Sequence, residues 1–427
     1  MFSLGEKLFV VLTLFYTTDA LLPLFTRGDN PFASTEGNPI ALTIQLSLYA
    51  LTLIFIALQW RTFLQGVLGT KLVGSMAVIA IASAIWSQDP LFTLRKGAAL
   101  LATTAFGVYF GSRYTLRQQL RLLACAFALV LVASFFIVIF LPQYGIDHST
   151  HAGSWQGAFT QKNVLARQMV LSACVFVFVR FNSGGLLRWL AIICSVALVF
   201  LSRSATGMII FGVMLALSPL YKLLRTRATF AIPVGIGIGV VTAGICLLLN
   251  ENLPMVFAFL GRDSSLTGRL PLWQAVFTSI SKQPLLGYGF NAFWRGMQGE
   301  SASILTAVQW MPLHSHNAFL DLWLDLGLLG LGTFLVSYFH LCRSAFRYLR
   351  NSSGPEPVWL CAFLLLMLLG NMTDGAILTV NNIFWVLYTA TAVNLSFDGP
   401  AKALKTEPAY GQSLVQGTDC PAMSFNY

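Results

Sequence analysis

From Leu8 to Phe25, from Pro39 to Gln59, and repeatedly down the rest of the chain, apolar residues run for some twenty positions with hardly a charge among them. A run of that length crosses the hydrocarbon core of a bilayer as one helix, since a spanning segment must satisfy its own backbone amides. Runs of this kind are readable near 6–25, 39–59, 72–86, 97–112, 119–141, 163–181, 187–202, 205–224, 230–250, 317–340, 357–372 and 378–396. The expected fold is therefore an all-α integral membrane protein of about 12 transmembrane helices. A chain that is 56% hydrophobic and only 10% charged is not an ordinary soluble globule. Glu6 and Lys7 precede the first run, which has no small-residue cleavage site, so a retained first span is expected rather than a signal peptide.

Charge gives the expected topology. With the N-terminus cytoplasmic, the inner loops receive 16 of the 26 Lys and Arg and the outer ones 10, as the positive-inside tendency requires. Both termini then lie in the cytoplasm, and the net charge of +10 reflects topology and attraction to an anionic leaflet rather than nucleic-acid binding. Seven cysteines, mostly within apolar runs, imply no disulfide framework. The stretch after Phe397 is rich in Gly, Pro, Ser and Thr and reads as a disordered tail, 398–427.

Two outer segments are too long and too aromatic for simple connections. One runs from Gln143 to Asn163 and the other from Glu251 to Ser315, the latter holding Arg262, Arg269, Lys282 and Arg295 with Trp273, Trp294 and Trp310. Loops of such length usually carry function. Leu270, Trp273, Val276, Phe277 and Ile280 recur at helical spacing and predict an amphipathic helix along the outer interface. The organisation expected is thus N-terminal spans in 1–142, a core in 143–340 that includes the outer loop 251–316, C-terminal spans in 341–397, and the tail.

Chemistry concentrates where Pro312-Leu-His-Ser-His-Asn317 opens an apolar run. His314 and His316 stand at the membrane surface, and Asp321 and Asp325 follow on one helical face, where a bare carboxylate needs a cationic partner. Ser315 or Asn317 capping a helix, with histidines as mere interfacial polar groups, accounts for the same residues. Outer Arg203, Arg269, Lys162 and Arg167 run against the positive-inside bias. Guanidinium forks suit a diphosphate, although pairing with Asp321, Asp325 or Asp147, or snorkelling, explains them too. Tryptophans in the outer loops serve either as sugar-stacking faces or as an interfacial belt. His-x-His offers too few ligands for a metal site, and no nucleophile elbow, phosphate loop or glycosidase carboxylate pair is evident.

Taken together, Gly157-Ala-Phe-Thr-Gln-Lys-Asn163, Leu201-Ser-Arg-Ser-Ala-Thr206, Thr267-Gly-Arg269 with Trp273, Pro284-Leu-Leu-Gly-Tyr-Gly289, and His314-Ser-His-Asn317 leading to Gly327 and Gly330 form a specific pattern between about 145 and 335. In order and spacing the chain resembles the O-antigen ligase and O-antigen polymerase superfamily of bacterial envelope glycan assembly, and within it the exopolysaccharide polymerase branch. The resemblance implies a glycosyltransferase of the GT-C type that needs no metal and no cofactor. Its implied donor is a polyprenyl-diphosphate-linked glycan, its acceptor a second glycan, with membrane lipid around it and polysaccharide export or chain-length proteins as candidate partners. It also implies a bacterial inner membrane location with the active site on the outer face.

By the same resemblance His316 falls on the catalytic histidine, followed at the family's spacing by Asn317, Gly327 and Gly330, while Arg203 and Arg269 fall on the arginines that grip the diphosphate. Lys162, Asn163, His314, Arg295 and Trp273 are the expected substrate-binding residues, with Asp321 and Asp325 as charge partners. Many polymerase relatives have His-Lys-Asn where this chain has Gln161-Lys162-Asn163, so no titratable group stands at 161. The expected function is polymerisation of lipid-linked repeat units into exopolysaccharide or O-antigen. A ligase that transfers finished glycan to lipid A core or protein shares the donor chemistry. A lipid-linked sugar flippase or other transporter is the reading from a different class, and it would call for midplane charges and internal repeats.

Overall fold

The computed structural model describes residues 3–21, 24, 38–148, 151–180, 185–226, 269–310, 312–352, 354–373 and 375–396, with the side chains of 219–226 and 269–270 excepted. The run predicted at 230–250, Arg262, and the tail 398–427 lie outside the described residues, as does the side chain of Arg269.

Among the described residues the helices are α1 (Leu4–Tyr16), α2 (Pro39–Leu58), α3 (Trp60–Gly69), α4 (Lys71–Ala82), α5 (Pro90–Arg113), α6 (Leu116–Phe140), α7 (Lys162–Phe178), α8 (Gly185–Leu201), α9 (Ala205–Thr226), α10 (Arg269–Lys282), α11 (Ser301–Val308), α12 (Ala318–Asn351), α13 (Glu356–Asn371) and α14 (Ile383–Ser396). Their starts follow local chemistry. Asn38 and Asp89 cap α2 and α5 with a proline next in line, and Thr115 and Gln118 close a reciprocal capping box on α6.

Three described helices, α2, α6 and α12, are each long and apolar enough to cross a membrane. The pair α3 and Lys71–Ile85, bent by 89° at Thr70, makes a fourth if counted as one span. Large apolar side chains along α6 and α8, among them Val132, Ile139, Leu186 and Ile193, are exposed in the isolated chain. Such a surface belongs in lipid, and the protein is an integral membrane protein.

Several boundaries differ from the sequence reading. The first run yields helix only to Tyr16, because Thr17 and Thr18 turn their hydroxyls back onto Leu14 and Phe15 carbonyls and Leu21 pairs with Ala158 O at 2.8 Å. An unpredicted helix, α3, occupies 60–69, where Arg61 and Gln65 had broken the apolar run. Pro90 starts α5 seven residues before the predicted 97. The outer segment 251–316 is no open loop in its described part, for it folds α10 and α11 around a small hydrophobic cluster of Leu272, Val276, Ile280, Tyr288, Phe293, Leu320 and Leu324.

The main core is built on close helix packing. Gly107 and Gly111 let α5 meet α14 so tightly that an added Cβ would stand 2.7 Å from Thr389 Cβ and 2.9 Å from Ala390 Cα. Trp385 then reaches Thr104 Oγ1 at 2.9 Å, and Tyr388 donates to Ser337 Oγ at 2.8 Å. At one end of this bundle three charged ties close the helices. Arg113 forks onto Glu6 at 2.7 and 3.2 Å with Tyr109 donating to the same carboxylate, Arg117 meets Glu356 at 2.7 Å, and Arg121 donates to the Arg180 carbonyl at 3.3 Å. At the opposite end lie the turns that carry the histidines.

Candidate active site

The turn 312–317 is held by its backbone. Asn317 caps α12, its Oδ1 accepting from Phe319 N at 3.0 Å and Leu320 N at 3.4 Å. Ser315 is fully buried, and both its backbone groups are taken: its N–H donates to Asp321 Oδ1 at 2.9 Å, and its carbonyl accepts from the Trp273 indole at 2.9 Å. Asp321 Oδ1 also accepts from Trp294 Nε1 at 2.8 Å. Between these anchors His316 adopts a φ of +56°, a left-handed conformation that a non-glycine residue keeps only when its surroundings enforce it. Its N–H donates to His314 Nδ1 at 3.1 Å, and the two rings meet edge to face at 4.2 Å between centroids.

Below the turn α12 is broken. Gly327 sits at φ +64° and ψ −164°, which frees backbone groups on either side. The segment 284–289 takes them up: Tyr288 N reaches Leu324 O at 2.8 Å, Gly289 N reaches Asp325 O at 2.9 Å, and Leu328 N reaches Pro284 O at 2.9 Å. The contact is so close that a Cβ on Gly327 would fall 2.2 Å from the Leu285 carbonyl, and one on Gly287 2.4 Å from Leu324 O. Two sequence motifs forty residues apart are therefore one structural unit. Tyr288 locks the far side by donating to Ser279 O at 2.7 Å, and burial, with Glu300 nearby, pushes its hydroxyl up to about 12, so it remains a donor.

The His turn separates two cavities. On one side His316 joins Gln161, Asn163, Arg167, Thr206, Gly207, Ile210 and Thr373 around a space of about 20 Å³. Asn163 Oδ1 accepts from Ser204 Oγ at 2.7 Å, which joins the start of α7 to the turn between α8 and α9. Arg167 is 6% exposed, and its guanidinium lies 5.2 Å over the Phe384 ring. On the other side a chamber of about 850 Å³ is lined by His314, Arg295, Asp321 and Asp325 together with Arg95, Lys96, Trp294 and Phe290. Arg295 is tied to Asp89 at 2.8 Å and stacked 4.1 Å over Phe92.

His316 and Asn163 thus share one cavity, while His314, Arg295, Asp321 and Asp325 share the other. Trp273 lines neither and holds Ser315 instead, and Lys162 lines neither while opening α7 beside Asn163. Arg203 lies exposed at φ +50° in the α8–α9 turn, one residue before Ser204 and close to Gly153. Arg269 begins α10, the helix whose next turn supplies Trp273. Asp321 anchors Ser315 rather than a ring nitrogen of His316, and Asp325 Oδ2 accepts from Asn291 N at 3.0 Å. Sequence reasoning passed over Arg95 and Lys96. Their signal was available, since both are cations on the side where the charge bias expected few.

The O-antigen ligase family matches residues 190–335, a stretch that contains Arg203, Arg269, the 284–289 segment and the His turn. The exopolysaccharide production protein ExoQ of Rhizobium meliloti (strain 1021) is 25% identical over 305 residues, 67% of either chain. Proteins named as candidate polysaccharide ligases are 33% identical over 101 residues in Rickettsia conorii, 23% of either chain, and 38% identical over 80 residues in Rickettsia prowazekii, 18% of this chain and 20% of that one. The matched stretch spans the helix break and the turn built upon it, and over it the chain is similar to the O-antigen ligase family.

Proposed function

We propose that the protein is a glycosyltransferase that polymerises polyprenyl-diphosphate-linked repeat units into exopolysaccharide or O-antigen on the outer face of the bacterial inner membrane. The observation that carries this reading is the meeting of His316, Asn163 and the buried Arg167 in one cavity at a single end of the bundle. In the proposed step an acceptor sugar hydroxyl attacks the anomeric carbon of the donor. A carbon–oxygen bond forms there, the bond to the diphosphate oxygen breaks, and neutral His316 takes the hydroxyl proton. Charge growing on the leaving diphosphate is met by Arg203 and Arg269, with Arg167 beside His316. No metal enters the step. About 12 spans with both termini in the cytoplasm complete the proposal, and export or chain-length proteins are its candidate partners.

Transfer of a finished glycan to lipid A core or protein is the second reading, favoured by the name of the matching family. Among the described residues the polar groups of the site gather at one end of the bundle, which lends the flippase reading no support. Reconstitution with lipid-linked repeat units tests the chemistry: His316→Ala is expected to abolish elongation while the protein stays folded, and full activity in that variant removes the base. A deletion strain separates the two acceptors, because a polymerase loss removes all long polymer whereas a ligase loss leaves it on its lipid carrier.

A further inference from the structure

Three consecutive amides in the His turn each donate to a side chain. Ser315 N–H goes to Asp321 Oδ1 at 2.9 Å, His316 N–H to His314 Nδ1 at 3.1 Å, and Asn317 N–H to Ser315 Oγ at 3.1 Å. The residues on either side of His316 carry further ties. The Ser315 carbonyl accepts from Trp273, the Asn317 carbonyl accepts from Ser315 Oγ at 2.7 Å, and Asn317 caps α12. The amide of His316 itself, in its left-handed conformation at φ +56°, is held by an imidazole. An imidazole nitrogen accepts a hydrogen bond only while it carries no proton, so this contact requires a neutral His314 whose proton sits on Nε2. A proton on Nδ1 would set two donors against each other and open the bond. The His314 ring also meets the His316 ring edge to face at 4.2 Å, and Trp310 stands 6.2 Å from the His316 ring.

We infer that His314 is a positioning residue: its unprotonated Nδ1 holds the His316 amide and so sets how His316 presents its imidazole to the cavity of Asn163 and Arg167. The inference rests on the reading of His316 as the base of glycan transfer. Neutrality is then required twice, at His316 to take the hydroxyl proton and at His314 to keep the turn. The charged or titratable groups around His314 are Asp321 and Asp325 on α12, Arg95 and Lys96 on α5, Arg295 between α10 and α11, and His316 on its own turn.

The test uses the full chain reconstituted with lipid-linked repeat units and three substitutions at 314. Asn places Oδ1 as many bonds from the backbone as His Nδ1, whereas Gln places Oε1 as far out as Nε2. His314→Ala is expected to lower kcat about tenfold to a hundredfold with little change in KM, the usual effect of leaving one amide without its acceptor. His314→Asn is expected to recover all but about fivefold of that loss, and His314→Gln to stay with His314→Ala. Should His314→Ala fail to fold, Asn against Gln carries the comparison. Towards acid pH the plot of log kcat/KM for wild type is expected to steepen from a slope of one to two, because either proton stops transfer, while His314→Asn keeps a slope of one. Full activity in His314→Ala overturns the inference, as does rescue by Gln rather than Asn, or a wild-type slope that never exceeds one. A readout without turnover separates this from the proposed function: imidazole nitrogen NMR of the same protein in lipid nanodiscs, with the His314 signals assigned by their loss in His314→Asn. At neutral pH His314 is expected as the tautomer protonated on Nε2, and a proton on Nδ1 overturns the inference whatever the transfer assay gives. Retained transfer in His316→Ala overturns the proposed base and leaves the tautomer, and the bond it reports, in place.

Discussion

The two ends of the helical bundle use charge in opposite ways. At the basic end Arg113, Arg117 and Arg121 are spent on neighbours, so that Glu6, Glu356 and the Arg180 carbonyl tie α1, α5, α6, α7 and α13 together. At the other end Arg167, Arg95, Lys96, His314 and His316 border cavities, while Asp321 fixes backbone by accepting from Ser315 N. The difference teaches where to look for chemistry in such a chain. Charges that bridge helices hold the bundle shut, whereas charges placed around a cavity keep their capacity to meet a ligand.

The contrast can be broken by substitution. His316→Ala should cost most, about a hundredfold to ten-thousandfold in glycan transfer measured with reconstituted protein, the usual worth of a positioned base. Arg167→Lys keeps the charge but loses the planar fork, and a drop of about a hundredfold is expected in the same assay. Gly327→Ala should strain the helix break by about 1–3 kcal/mol. That strain would be read as a lower unfolding temperature together with a transfer loss of between about fivefold and a hundredfold. Trp273→Phe removes one hydrogen bond from Ser315, so about a tenfold fall in kcat with little change in KM should follow. Glu6→Gln sharpens the comparison from the other side: transfer should stay near wild type while thermal stability falls by about 1–3 kcal/mol, because Arg113 loses its charged partner and one of the two oxygens it forks onto. Equal losses of transfer from Glu6→Gln and Arg167→Lys would erase the distinction between the two ends.

Much of the helix order was legible, since long apolar runs have few alternatives. The α10 helix was predicted from the spacing of Leu270, Trp273, Val276 and Ile280 and is present. Asn317 as a cap was one of two residues the sequence allowed. What periodicity missed was breakage inside apolar stretches. Gly327 lies in a run that stays hydrophobic on both sides, so hydropathy passes over it, and the bend at Thr70 hides between two helices of different polarity. The partnership of His316 with Asn163 and Arg167 joins residues some 150 positions apart, and no local pattern encodes it. Grouping His316 with Asn163 came from the resemblance, which did not foresee that the two histidines would face different cavities. Trp273 was legible as an outer-loop aromatic but not as a brace, because a hydrogen bond to a distant carbonyl leaves no mark on composition.

The interruption of α12 has a mechanical consequence. Because the turn segment 284–289 takes up the backbone groups freed at the break, the nine residues above Gly327 are fastened to α10 and its cluster as well as to the helix below. The histidine turn is thus carried by the lobe that α10 and α11 build, with the long lower half of α12 serving as its mooring. Tilting that lobe would swing both imidazoles relative to the cavity floor on α7 and α9 without asking any membrane span to slide.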